Sequence, residues 1–194
     1  MFSELFYAPG AGFTQIGAPW ERVLYESVDW IVGAAVVVSV GILLVCVFRN
    51  GPVGRRGRVA ALLLVVLAIG PGLIVNGILK EHWGRARPRD VVEFGGDHRF
   101  TPAIVISDQC ERNCSFTAGH PSAGFALAAL GYAYMSRRRR CAVFAAATGF
   151  GLLVGLARVA VGGHFLSDVL FSGFIVIGLT VWLGNRWIGR ASEP

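Results

Sequence analysis

The chain of 194 residues is 54% hydrophobic and only 15% charged, too apolar for a water-soluble domain of ordinary composition. Its formal net charge of +6 is concentrated in short loops between apolar runs. That pattern excludes nucleic acid as the partner and points to the membrane bilayer.

The first 20 residues lack the basic start and unbroken apolar run of a signal peptide. Pro9, Pro19 and several glycines interleave with Phe2, Phe6, Tyr7, Phe13 and Trp20, and aromatics at that density suit a membrane–water interface. Residues 1–28 are therefore expected to form an interfacial arm. Trp30 to Phe48 and Val59 to Leu79 follow without a single Asp, Glu, Lys or Arg. Thr117 to Ser136 carries only His120, Cys141 to Ala157 carries no charge, and Phe165 to Asn185 carries only Asp168. A helix needs about 17–25 apolar residues to cross a bilayer. The expectation is an all-α integral membrane bundle of five to six transmembrane helices, with residues 1–194 as one membrane-embedded domain.

The loops orient this bundle. RNGPVGRRGR holds Arg49, Arg55, Arg56 and Arg58 with no acid, and SRRRR holds Arg137 to Arg140 with none. From Lys80 to Ser115, acids and bases cancel. Short, purely basic loops belong on the cytoplasmic side. The amino terminus and an outer loop over 80–116 are thus expected outside, and the carboxyl terminus with Arg186 and Arg190 inside. Cys46 and Cys141 read as small apolar residues. Cys110 and Cys114 lie on the outer loop, where a disulfide shaping the local backbone and a pair of free thiols both stay open. A lone C-x3-C lacks the second ligand pair of a structural zinc site, so no metal is expected.

Ionisable groups inside or beside a membrane are costly and are functional candidates by default. Three clusters qualify: Lys80-Glu-His-Trp-Gly-Arg-Ala-Arg87-Pro88, Thr117-Ala-Gly119-His120, and Arg158-x5-His164-x3-Asp168. Because spans alternate direction, the loop charges alone bring all three to the outer face. Lys80, Arg87 and Arg158 are cations suited to phosphate oxygens. The alternative is a snorkelling or loop charge, which fits Lys80 alone equally well and Arg158, held between two apolar spans by a short glycine-containing link, less well. His164 and Asp168, four apart, share a helix face, so the carboxylate is expected to fix the imidazole tautomer and leave the other nitrogen free to attack. The bland alternative is a packed pair. Gly162-Gly163 is expected to let backbone approach a ligand. Pro121 marks a helix start, which puts Gly119 and His120 at a helix N-terminus, a ready anion site. Gly151-x3-Gly155 reads as close helix packing within the bundle.

Together, Lys80-x6-Arg87-Pro88, Ser115-Phe-Thr-Ala-Gly-His120 and Arg158-x5-His164-x3-Asp168 resemble the three-part signature of the type 2 phosphatidic acid phosphatase superfamily, which reads K-x6-R-P, P-S-G-H and S-R-x5-H-x3-D. The resemblance implies a phosphatase without metal or other cofactor. In it His164 attacks phosphorus to form a phosphohistidine, oriented by Asp168. His120 protonates the leaving oxygen, while Lys80, Arg87, Arg158 and the Gly119 N–H hold the phosphate. The sequence departs from the signature at Thr117 and Ala118, which replace Pro-Ser, and at Ala157. Ala118 cannot supply the family serine's hydroxyl; Ser115, Thr117 and Ser122 are the candidates to compensate. The spans select the membrane branch: a multi-pass protein of a bacterial inner membrane acting at the periplasmic face on a lipid phosphate. Candidate substrates are undecaprenyl pyrophosphate, phosphatidylglycerophosphate, phosphatidic acid and lipid A, the long outer loop favouring a bulky glycolipid head group. The alternative is a non-catalytic lipid-phosphate-binding or transport protein that keeps the anion pocket.

Overall fold

The computed structural model describes residues 1–49 and 53–188; Arg190 lies outside them. Helix α1, Pro19–Phe48, starts at a proline whose missing N–H has no intrahelical partner to lose. The arm therefore ends at Ala18, well short of the boundary expected at residue 28. It comprises a 3-10 turn, Phe2–Phe6, and a small hairpin of β1, Tyr7–Ala8, and β2, Gly12–Phe13. The rings of Tyr7, Phe13 and Phe94 meet with centroids 5.1–5.6 Å apart. The arm is thereby packed onto the outer loop.

Helix α2, Arg55–Leu67, continues through a π-helical stretch, Ala68–Leu79, into the single turn α3, Lys80–His82. Pro71 lies inside this 28-residue rod, where it can donate no hydrogen bond and crowds the preceding turn. The wider π turns accommodate it, and Asn76 Nδ2 donates to Pro71 O at 2.7 Å. Helix α4, Gly119–Ala126, runs on as a 3-10 segment, Leu127–Ala133, followed by α5, Arg137–Ala160, and α6, Leu166–Trp187.

Among the described residues four helices are long and apolar enough to cross a membrane: α1, the Arg55–His82 rod, α5 and α6. The expected span over Thr117 to Ser136 is shorter, only α4 and its 3-10 extension. At rises of about 1.5 and 2.0 Å per residue these cover about 26 Å, close to a hydrocarbon core of about 30 Å. Most of this short rod is buried; it is the bundle's central element. Helices in lipid gain no hydrophobic drive from each other and depend on close packing. Leu62, Leu63, Val66, Phe125, Val169 and Val176 form that packed centre. A Cβ at Gly151 would stand 2.4 Å from the Phe125 ring, and one at Gly155 2.2 Å from Val169. The small-residue spacing on α5 thus serves the bundle's own core.

The two ends of the bundle differ in character. At one, Arg55 donates to Tyr132 O at 2.9 Å and Tyr134 O at 3.3 Å, and Arg140 reaches Tyr134 O at 3.4 Å. The basic loops are gathered there. At the other end the starts of α1, α4 and α6 meet the ends of α3 and α5.

Candidate active site

His164 lies in the turn between α5 and α6, with only 4% of its surface exposed. Gly162 adopts φ +68°, with the Phe13 ring 2.5 Å from where a Cβ would stand, and at Gly163 the Arg158 Nη2 is 2.8 Å from that position. The glycine pair makes room for an aromatic ring and a guanidinium.

His164 Nδ1 is 2.7 Å from Ser115 O and 3.9 Å from Asp168 Oδ2. The expected direct hydrogen bond to Asp168 is therefore corrected: the acceptor is the Ser115 carbonyl. A carbonyl oxygen can only accept, so Nδ1 carries the proton and Nε2 keeps its lone pair. Asp168 acts one step behind. Ser115 Oγ donates to its Oδ2 at 2.5 Å, and the Phe165 N–H donates to the same oxygen at 2.9 Å, capping the start of α6. Its other oxygen accepts from Arg85.

Arg85 was invisible as a site residue from sequence. It is 2% exposed, donates to Thr101 O at 2.8 Å and Ser167 Oγ at 2.9 Å, and lies with Cζ 4.2 Å from the Phe165 ring centroid. The only sequence signal was a charge within the Lys80-x6-Arg87 interval, which does not distinguish a buried partner from a surface loop residue. Burial, then the charges of Lys80, Arg87 and Arg158, hold the His164 imidazole well below its ordinary range. The ring is neutral.

His120 occupies the first turn of α4, whose leading N–H groups have no intrahelical partners. A Cβ at Gly119 would stand 2.5 Å from Asn76 Oδ1, so a polar side chain from the π-helical stretch abuts this turn. The His120 ring stacks on Tyr25, with centroids 4.0 Å apart and planes at 28°, and its Nε2 is 4.0 Å from Asp29 Oδ1. Neither α1 residue was singled out from sequence. Tyr25 reads as part of the arm, and Asp29 falls between the arm and the uncharged run that starts at Trp30.

Of the three cations, Arg158 donates from Nη1 to Glu21 Oε1 at 2.9 Å, an acid the sequence reading did not supply. Arg87 donates from Nη2 to Asn113 O at 2.6 Å, and Lys80 is half-buried at the start of α3. A Cys110–Cys114 disulfide closes the loop that carries Asn113. Around the Ala118 departure, the Ser115 hydroxyl is engaged by Asp168 and that of Ser122 by Gly119 O at 2.5 Å. The Thr117 hydroxyl is buried with no partner. Ala118 itself is fully buried within the main apolar core. Among the described residues no three His, Cys, Asp or Glu side chains gather as a metal site would need.

The sequence model described as PAP2 superfamily matches residues 60–192. Three curated proteins, each named lipid A 4'-phosphatase, are similar. The one from Francisella tularensis subsp. novicida is 46% identical over 129 residues, covering 66% of this chain and 58% of that protein. That of Rhizobium leguminosarum is 36% identical over 137 residues, covering 69% and 58%. That of Rhizobium etli is 34% identical over 186 residues, covering 87% and 70%. The chain thus spans less than two thirds of the length of the first two. No solved structure matches it.

Proposed function

This chain belongs to the PAP2 superfamily, and from that premise we propose that it is a membrane lipid phosphatase that removes the 4'-phosphate of lipid A through a phosphohistidine. The observation that carries the reading is the 2.7 Å contact of His164 Nδ1 with a carbonyl oxygen. It leaves Nε2 unprotonated, in a neutral ring, in the neighbourhood of Lys80, Arg87 and Arg158. A neutral imidazole nitrogen surrounded by cations is arranged to attack an anionic phosphorus centre.

In the first step Nε2 gives its electron pair to phosphorus and the bond from phosphorus to the sugar oxygen breaks. The His120 imidazolium donates its proton to that oxygen. In the second, His120, now neutral, takes a proton from water. The hydroxide oxygen bonds to phosphorus, the P–N bond breaks, and inorganic phosphate leaves with the His164 lone pair restored. Lys80, Arg87, Arg158 and the Gly119 N–H hold the equatorial oxygens and meet the charge that develops on them, commonly the largest single catalytic contribution. Arg87 and Arg158 each keep one protein partner, Asn113 O and Glu21, which aims the guanidinium while leaving further donors for phosphate.

The sugar phosphate is the proposed substrate because all three similar proteins carry that activity in their names. The placement proposed is a bacterial inner membrane with the site at the periplasmic face, supported by the basic loops gathered at the opposite end of the bundle. The test is phosphate release from lipid A in mixed micelles, alongside the other three candidate lipids, followed by acid-labile labelling of the protein from substrate carrying ³²P at the 4' position. Release from lipid A with label on the chain is the expected result. Release without label would exclude the covalent route, and release only from another lipid would exclude the head group.

A further inference from the structure

The site has a wall that lies outside the matched family segment. Residues 60–192 match the PAP2 superfamily, whereas α1 ends at Phe48. Glu21, Tyr25 and Asp29 recur every four residues along α1 and so form one stripe of that helix. Each meets a residue assigned to the chemistry. Glu21 pairs with Arg158 at 2.9 Å, Asp29 stands 4.0 Å from His120, and the Tyr25 ring touches both. The His120 ring lies 4.0 Å from the Tyr25 centroid and Arg158 Cζ 4.8 Å from it. Another face of α1 is turned away from the bundle, with Val23, Trp30, Val37 and Val47 between 66% and 78% exposed. The polar stripe, by contrast, makes three directed contacts with site residues.

We propose that Tyr25 is the positioning residue for the proton donor: its ring holds the His120 imidazole and the Arg158 guanidinium in register on the same phosphate, with Glu21 hydrogen-bonded to the guanidinium and Asp29 a carboxylate near the imidazole. An aromatic face attracts cations, so the ring holds the Arg158 guanidinium and offsets part of what burial and the neighbouring cations cost the protonated His120. The proposal rests on the phosphatase reading above and on His120 as the acid.

The test is a double-mutant cycle in the full-length chain, read by lipid phosphate release. Tyr25→Ala is expected to lower kcat about tenfold to a hundredfold, the cost of misplacing one catalytic group, with a much smaller change in KM. On a His120→Ala background the same change is expected to cost clearly less, leaving only the share that passes through Arg158. Tyr25→Phe, which keeps the ring, recovers the larger part of the loss. Asp29 is 71% exposed, so Asp29→Ala leaves folding intact if Tyr25→Ala does not; it is expected to lower kcat a few-fold, again only when His120 is present. Equal losses on both backgrounds would make Tyr25 merely structural and overturn the proposal, as would no loss at all. An inactive wild-type chain would instead sink the phosphatase reading, and this with it.

Discussion

The two histidines stand in opposite surroundings. His164 is enclosed: its ring, Asp168, Ser115 and Arg85 are each at most 4% exposed, and each is tied to another by a hydrogen bond. His120 is open: its side chain is 32% exposed and Asp29 beside it 71%, and the contacts are a ring stack and a long charge pair. Under the proposed roles, with His164 as nucleophile and His120 as proton donor to a lipid leaving group, the difference follows from what each group has to do. A nucleophile needs one fixed tautomer and one direction, and a buried, fully satisfied polar network supplies both. The proton donor must meet a leaving group attached to a bulky lipid, so its side of the site has to stay accessible.

The contrast breaks most severely at His164, the proposed nucleophile. His164→Ala is expected to lower phosphate release by at least about 10⁴-fold, the scale seen when a covalent nucleophile is removed, and to abolish labelling of the chain. Measurable labelling in that variant would move the covalent site elsewhere. Next come the two carboxylates. Asp168→Asn leaves Arg85 as a buried cation without its counter-charge, which costs about 3–5 kcal/mol and should appear as a large fall in thermal midpoint. Asp29→Asn, on the open side, should cost less than about 0.5 kcal/mol. Similar midpoints for the two would erase the distinction drawn between the sides.

The pH dependence sharpens the comparison further. Burial and the neighbouring cations keep folded His164 neutral below the ordinary imidazole value, whereas the unfolded chain takes up that proton near a pH of about 6.5. Folding therefore expels a proton in that window, and stability should fall as pH drops below about 6.5. His164→Gln, which cannot titrate, should reduce that slope in denaturation measured between pH 5 and 7, leaving the smaller share of His120. An unchanged slope would assign it to another group. The smallest effect belongs to Ala118. Were position 118 an empty donor slot, Ala118→Ser would raise kcat by about 10²-fold. Because Ala118 sits in apolar packing, the expected change is less than about twofold, with a lower midpoint.

Much of the site's location was legible in the chain itself. Uncharged runs from Trp30 to Phe48 and Val59 to Leu79, and the acid-free arginine loops, order the helices and bring Lys80, Arg87, His120, Arg158 and His164 to one end. The helix start just ahead of Pro121 was also readable, because a proline is tolerated in a helix's first turn. Three features were not. The Thr117 to Ser136 run reads as a full span but folds as a short α helix with a 3-10 extension. Phe13 reads as an interfacial aromatic but is buried over Gly162. Arg85 reads as a loop charge but is the counter-ion of Asp168.

Hydrophobic runs, loop charge and motif spacing are properties of neighbouring residues, so the linear chain was sufficient to determine a membrane bundle and the chemical types available at its rim. Which oxygen accepts the His164 proton, which cation neutralises Asp168, and that Tyr25 reaches both His120 and Arg158 are choices among partners far apart along the chain. Only packing decides them, because a hydrogen bond or ring stack depends on ångström-scale approach between separate helices, and residue type alone sets no such distance.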